Sequence, residues 1–329
     1  MAHLSEYAID LHDAGPDGFC PVLLNTFRRG GIVNFDLFIR QPGGAAPGLY
    51  HEAARAFGQD AREDLAARKI NELWMRHEDR PHLCRYVEEH LSAIRADTGM
   101  PLEVRAALLY ETAQELVKEV LQSPRSRTLL NRAATIAQHM VRFLSCNTGA
   151  FSCLAQCTWR TYETYTHCVD VCVFASGLAA WLGFKDDKAF DIALGALIHD
   201  IGKSEIDPEI LRRNGPLSDQ EWQVIHQHPI WGEQMLRDTG ITNRVVLEIV
   251  RHHHEKLSGD GYPDALPGAG IRMPVRIVTI ADIFSALTAK RPFGERMGSY
   301  DALRLMSKTM GHTLDRSYLR QFVKLLGQE

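Results

Sequence analysis

Hydrophobic and polar positions alternate in the first part of the chain in a way that the rest does not repeat. The stretch FDLFIR at 35–40 alternates like a half-buried strand, and QPGGAAPG at 41–48 predicts a loop from its proline and glycine content. A helical pattern follows from about Ala61. These signals predict a small α/β module over residues 1–95.

From Pro101 the apolar positions recur with helical spacing. The stretch LEVRAALLYETAQELVKEVL predicts one helix, SPRS breaks it, and a second helix runs through IAQHMVRFL. We expect this pair to form a helical connector over residues 96–149.

Beyond residue 150 the pattern is helical, which predicts a mainly α fold class with a helical domain over residues 150–329. Its longest apolar stretch, VCVFASGLAAWLGF at 171–184, is shorter than the ~20 residues that cross a bilayer and predicts a core helix. Several residues are typical of helix starts, as a capping box, an N-terminal proline or an N-cap. They are Ser218 with Glu221, Pro274, Ser299 and Asp315.

Composition and charge narrow the classes of partner. The chain is 45% hydrophobic and 24% charged, as in ordinary soluble proteins. A net charge of −4 gives no overall attraction to polymeric nucleic acid or anionic membranes, so a phosphate-bearing ligand needs a local cluster. The first twenty residues carry acidic side chains and no apolar run, which argues against a secretory signal and favours the cytoplasm.

Seven cysteines lack the dense spacing of a disulfide framework, so we expect most to be reduced and buried. The spacing of Cys153, Cys157, Cys168 and Cys172 also allows a zinc site. Helical sequence around both pairs favours buried cysteines instead.

Seven of the 15 histidines fall between residues 167 and 254, most of them beside a carboxylate or another histidine. In ETYTH, Glu163 and His167 lie one helical turn apart and can share a metal ion. An exposed ion pair is the alternative.

The segment IHDIGK places His199 and Asp200 next to each other within an apolar helix pattern. Adjacent helical residues diverge by about 100°, so they can serve one cluster only near a helix end, which Gly202 suggests. Lys203 can then contact a phosphate oxygen as a point charge. The alternative is an N-cap aspartate beside a core histidine.

His228 precedes Pro229, which excludes regular helix geometry there and can turn the ring inward, whereas we expect His226 to be solvated. In RHHHEKLSGDGYP, His253 and His254 precede a turn, and each can bind a different metal ion. An exposed polar stripe is the alternative.

A further carboxylate, Asp282, lies within the apolar sequence VRIVTIADIFSAL, where its burial implies a cation. The assembled candidates comprise three carboxylates and five imidazoles, which suits two or three divalent ions, with iron, manganese or zinc favoured over magnesium or calcium. Adjacent metal ions suit phosphoester hydrolysis, because they activate water and neutralise charge at phosphorus. The candidate ligands are Glu163, His167, His199, Asp200, His228, His253, His254 and Asp282.

These motifs resemble the HD-GYP family of metal-dependent phosphohydrolases. The resemblance rests on HDIGK at 199–203, His228-Pro229, HHEKLSGDGYP at 253–263, and the Asp282 helix followed by Arg291-Pro292-Phe293. It implies an all-helical domain over residues 150–329 that hydrolyses cyclic di-GMP to pGpG or GMP, with iron or manganese as the metals most in keeping with it.

The resemblance also assigns roles to single residues. Asp200 and Lys203 are the implied catalytic residues, with Lys203 on a substrate phosphate, and Glu163 is associated with a third metal ion. Arg291 corresponds to a basic residue near the substrate. Tyr262 belongs to a loop linked to substrate approach and to contact with diguanylate cyclase domains, and the connector favours a homodimer.

Two positions depart from the family, which usually has aspartate where this chain has Ser258 and Ser285. Each change removes a charge near the site without removing a candidate ligand. An alternative function is therefore a metal-bound cyclic dinucleotide receptor or regulatory module with little turnover. A third candidate is an HD hydrolase that acts on another nucleotide or phosphomonoester.

Overall fold

The chain divides within a long helix into two units, Met1–Glu115 and Leu116–Glu329. The structure, a computed structural model, describes residues 17–28, 30–40, 46–158, 163–213, 215–289 and 296–327. Among these residues no helix is both long enough and apolar enough to span a bilayer. The boundaries expected after residues 95 and 149 stay predictions.

The first unit contains short antiparallel strands and two helices. They are β1 (Phe19–Leu23), β2 (Ile32–Val33), β3 (Leu37–Ile39), β4 (Gly48–His51), β5 (Arg55–Ala56), α1 (Gln59–Ala67), β6 (Glu72–Arg76) and α2 (Arg80–Ala96). The strands pair in the order β1-β6-β3-β4, and β2 pairs with β5. Cys20 and Val22 on β1 face the core opposite Met75 and Leu73 on β6, as strand alternation requires.

The strand expected at 35–40 is confirmed as β3, and the helix expected from about Ala61 lies within α1. Residues 41–45 of the expected loop lie outside the described residues, and strand β4 already begins at Gly48.

Helices make up the rest of the described chain, apart from loops and short 3-10 turns such as Ile201–Glu205. The mainly α fold class with a small mixed module is therefore confirmed, as are the two connector helices, α3 and α4. The helices are α3 (Leu102–Gln122), α4 (Arg127–Cys146), α5 (Ala150–Cys157), α6 (Thr164–Trp181), α7 (Asp186–Leu197), α8 (Pro208–Leu211), α9 (Asp219–Ile225), α10 (His228–Asp238), α11 (Arg244–His252), α12 (Met273–Thr288), α13 (Ser299–Thr309) and α14 (Arg316–Leu326).

Most of the predicted helix starts are confirmed. Ser218 and Glu221 form the capping box of α9, Pro274 lies in the first turn of α12, and the Asp315 carboxylate accepts two backbone N–H groups of α14. The prediction for Ser299 was wrong by one residue. Gly298 is the N-cap of α13, because the extended backbone (φ −65°, ψ 151°) ends there and Ser299 is already helical.

Helix α6 is the centre of the second unit, and it is buried on all sides from Thr166 to Ala179. The expected core helix is thereby confirmed. Phe174 on α6, Phe284 on α12 and Phe322 on α14 meet edge to face, with ring centroids 5.0 to 6.0 Å apart. This packing holds α6 against α12 and α14, and Phe284 lies two residues after the candidate ligand Asp282.

Candidate metal centre

Three buried imidazoles are held in one tautomer by backbone carbonyls. The Nδ1 atoms of His199, His228 and His253 lie 2.7, 2.7 and 2.9 Å from the carbonyl oxygens three residues earlier. A carbonyl can only accept, so each Nδ1 carries the proton and donates it. In its neutral form each ring therefore presents a lone pair at Nε2, as metal-binding histidines do.

These lone pairs converge on the carboxylate of Asp200. Its Oδ1 lies 3.2 Å from His228 Nε2 and 3.7 Å from His253 Nε2, and the two Nε2 atoms lie 3.2 Å apart. Two lone pairs at that distance repel each other unless a proton or a cation lies between them. The arrangement fits a positively charged ligand.

A second set of donors surrounds Asp282. His167 Nε2 lies 2.9 Å from Asp282 Oδ1, and His254 Nδ1 lies 3.5 Å from Oδ2. The other nitrogen of His167, Nδ1, lies 2.9 Å from the buried Ser285 hydroxyl, which orients the ring. Ser285, noted as a departure from the family, thus supports a candidate ligand directly.

The two donor sets are linked because the adjacent residues His199 and Asp200 contribute to different sets. The donor atoms of Asp200, His228, His253 and His254 lie within 4.8 Å of one another, and so do those of His167, His199 and Asp282. His199 Nε2 and Asp200 Oδ1 are buried without a hydrogen-bond partner among the described residues. Buried polar atoms rarely lack partners, so these two fit a bound divalent cation.

Burial and neighbouring charges keep most of the donors in the forms that bind metals, whereas at His199 the lowering effect of burial is outweighed by the Asp200 carboxylate, which raises the pKa. Burial lowers the pKa of His228 to about 4, and it also lowers the pKa values of His167 and His254. Burial opposes ionisation of Asp282, but the hydrogen bond from His167 and the adjacent imidazoles hold its pKa well below the usual range. Neutral imidazoles and ionised carboxylates are the ligating species.

Asp200 also forms an ion pair with Lys203, the lysine to which the family resemblance assigns a catalytic role. Lys203 Nζ lies 2.5 Å from Asp200 Oδ2. Burial would raise the pKa of Asp200, but Lys203 and His199 lower it well below its usual range. The lysine thus lies at the edge of the candidate centre.

Glycine allows the turn that carries Asp200 to approach helix α10. A Cβ atom added to Gly202 would lie 1.9 Å from the His228 carbonyl oxygen and 2.6 Å from the Gly232 nitrogen. Gly232 on α10 also lies close to the turn, because a Cβ atom added to it would lie 3.2 Å from the Gly202 nitrogen. This close backbone contact brings His228 to Asp200.

Buried Glu255 holds the loop 256–266, here called the GYP loop, against the centre. Its carboxylate accepts the backbone N–H groups of Asp264 and Leu266 at 2.7 and 3.0 Å. Arg251 adds a two-pronged ion pair to Asp264. The loop thereby places the Tyr262 ring with its centroid 4.7 Å from that of His254.

Two predicted site residues are not brought into these groups. Glu163 is exposed at the N-cap of α6 and belongs to neither donor set, so its role as a ligand stays a prediction. Arg291 lies outside the described residues. The remaining histidine of the run, His252, instead contacts the Asp264 carboxylate at 2.9 Å.

The sequence analysis missed two residues near the centre. Cys168 offers a buried sulfur within 4.8 Å of donor atoms of His199 and Asp200, although the sequence analysis considered it only as a core residue or as part of a separate cysteine zinc site. Its position directly after His167 was the available signal. His226, expected to be solvated, is half-buried and stacks on Tyr262 with centroids 3.9 Å apart.

Comparisons with known proteins agree with this geometry. A family model described as HD domain matches residues 151–318. A cyclic di-GMP phosphodiesterase of Pseudomonas aeruginosa is 30% identical over 235 residues, which cover 70% of this chain and 56% of that protein. A 3′3′-cGAMP-specific phosphodiesterase of Vibrio cholerae is 29% identical over 242 residues, which cover 70% of this chain and 50% of that protein.

The chain thus spans about half the length of these curated relatives. A solved structure of an HDG"Y"P protein from Bdellovibrio bacteriovorus shares the fold, with a TM-score of 0.65 and 20% identity, covering 94% of this chain and 99% of that one. Because the HD domain match spans half of the chain, the chain belongs to the HD domain family, and its likeness to the HD-GYP branch is confirmed.

Proposed function

We propose that this chain is a metal-dependent phosphodiesterase that hydrolyses cyclic di-GMP, or a related cyclic dinucleotide, to pGpG or GMP. The observation that carries the proposal is the convergence of three fixed imidazole lone pairs on Asp200 beside the Asp282 donor set. The names of the two curated relatives, for cyclic di-GMP and 3′3′-cGAMP, support the substrate class.

The donor sets favour two divalent transition-metal ions, with iron or manganese the best match and zinc an alternative. Asp200, His228, His253 and His254 would hold one ion, and His167, His199 and Asp282 the other. Divalent ions at such a centre supply Lewis acidity toward phosphate oxygens and water. A third ion, held with Glu163, stays a prediction that metal analysis of Glu163→Gln against the wild type tests.

The remaining groups bind and orient the substrate. Lys203, at the edge of the centre, is placed to exchange its contact with Asp200 for a non-bridging phosphate oxygen, because an ammonium neutralises charge that grows there. Tyr262, whose ring lies beside that of His254, would guide substrate approach, as the family resemblance implies. Arg291 is the predicted further cationic contact.

Turnover by protein reconstituted anaerobically with Fe²⁺ or Mn²⁺ tests the proposal. Cyclic di-GMP and 3′3′-cGAMP are incubated separately, and chromatography follows the linear dinucleotide and mononucleotide products. We expect product from at least one substrate. The double variant His199→Ala/Asp200→Ala should lose both bound metal and activity, whereas Lys203→Ala should keep its metal and lose activity.

Binding without turnover would favour the alternative function, a cyclic dinucleotide receptor. Ser285 motivates this alternative, because a neutral hydroxyl lies against His167 where the family usually has a carboxylate. Hydrolysis of simple phosphomonoesters alone would favour the third candidate. Full activity in the double variant would contradict the proposed centre. Contact with diguanylate cyclase domains and homodimerisation stay predictions.

A further inference from the structure

A continuous row of aromatic rings leads from the protein surface to the candidate metal centre. Its members, here called the aromatic row, are Trp222, His226, Tyr262 and His254. Successive ring centroids lie 5.6, 3.9 and 4.7 Å apart. The inner end, His254, offers a donor atom within 4.8 Å of those of Asp200 and His228.

The outer part of the row is more open than core packing requires. Trp222 is 48% exposed on α9, one helical turn before the half-buried His226. A large aromatic side chain that stays exposed to solvent does not gain the free energy of burial in the core. It is therefore a candidate contact surface for a ligand. The row therefore has an accessible face at its outer end.

The middle of the row is built for stacking. The rings of His226 and Tyr262 are nearly parallel, with an interplanar angle of 21°. Lys256 lies near enough to His226 for its charge to act on that ring. Lys256 also places a cation beside the row, where an anionic ligand benefits from it.

We propose that Trp222 and His226 form a stacking platform for one purine base of the cyclic dinucleotide while a phosphodiester lies at the metal centre. The inference rests on the proposed function and adds the residues that recognise the base. Aromatic side chains stack on nucleobases by their faces, and a bicyclic purine offers the larger face. The continuity of the row with His254 ties the platform to the reacting phosphate.

The test compares Trp222→Ala, Trp222→Phe and His226→Phe with a matched control, Trp181→Ala. Trp181 is 38% exposed on α6, and its indole N–H donates to Gln321 rather than to any member of the row. Each protein is assayed on cyclic di-GMP and on bis(p-nitrophenyl) phosphate, a phosphodiester without a nucleobase. Equilibrium binding of cyclic di-GMP is measured by calorimetry in parallel.

Loss of one stacked base predicts a roughly 5- to 150-fold weaker Kd and a similarly raised KM for cyclic di-GMP in Trp222→Ala. The base-free substrate should be hydrolysed at the wild-type rate. Both phenylalanine variants should keep most of the affinity, and Trp181→Ala should match the wild type.

Affinity within twofold of the wild type in Trp222→Ala would overturn the platform, and so would an equal loss on both substrates. A wild type that neither binds nor hydrolyses cyclic dinucleotides would instead overturn the proposed function, and the platform with it. The wild-type data therefore test the substrate class, whereas the variants test the platform.

Discussion

Gly202 is the residue whose substitution tests the geometry of the centre with the smallest chemical change. In Gly202→Ala the new Cβ would lie 1.9 Å from the His228 carbonyl oxygen, although ordinary contacts begin at 3.4 Å. The clashing atoms belong to the backbone, so no side chain can rotate away. Helix α10 must therefore retreat by about 1.5 Å, an overpacking strain that typically costs about 1–3 kcal/mol of stability.

The retreat separates two candidate ligands, because His228 is the first residue of α10 and Asp200 directly precedes the turn that contains Gly202. Metal sites tolerate distance errors of only about 0.2 Å. A misplacement of about 1 Å in an active site can cost roughly 100-fold in rate. We therefore expect Gly202→Ala to stay folded, to lose bound metal and to lose at least about 100-fold in activity.

Metal content by plasma mass spectrometry, circular dichroism and turnover of cyclic di-GMP together measure these effects. Gly298→Ala is the matched control, because Gly298 has a negative φ and an added Cβ would have no atom of the described residues within 4 Å. It should match the wild type in all three measurements. Wild-type metal content and rate in Gly202→Ala would refute the close contact between the turn and α10.

Three further predictions address the surroundings of the centre. Ser285→Ala removes the oxygen that orients His167, so the Mn²⁺ affinity measured by calorimetry should fall about 10-fold or more. Ser285→Asp should keep the wild-type Mn²⁺ affinity. Wild-type affinity in Ser285→Ala would contradict this role of Ser285. The hydrogen bond from Arg251 lowers the pKa of Asp264 to about 2, so its contribution to stability is complete above the unfolded pKa near 3.8 and is lost as the pH falls toward 2. The stability advantage over Asp264→Asn in urea should accordingly shrink from pH 6 to pH 3, and a constant advantage would count against the ion pair. Chelation should lower the thermal midpoint, by mass action, to that of the metal-free protein, and an unchanged midpoint would argue against a bound ion.

Candidate ligands could be predicted because a charged side chain inside an apolar helix needs a partner. Asp282 is the clearest case, since its carboxylate is buried on α12 and surrounded by imidazoles. His199 and Asp200 were harder, because neighbours on a regular helix point apart. The structure brings both together because α7 ends at Leu197 and Ile198 and Asp200 have non-helical backbone angles.

The sequence did not show how the donors divide between ions, since that depends on how α6, α10, α11 and α12 cross. It also predicted only one strand of the first unit, because strands as short as Ile32–Val33 and Arg55–Ala56 have too few residues to alternate visibly. The expectation that Pro229 excludes helix geometry at His228 was wrong. Helix α9 ends at Ile225, and α10 begins at His228 itself with Pro229 in its first turn, where a proline is tolerated.

Anomalous diffraction from crystals of Mn²⁺-loaded protein tests the central claim most directly. The account predicts two peaks, one bonded to Asp200 and to the Nε2 atoms of His228 and His253, the other bonded to His167 and Asp282. Peaks confined to other sites, or an ordered proton donor between the His228 and His253 rings with no anomalous signal, would contradict the proposed metal centre.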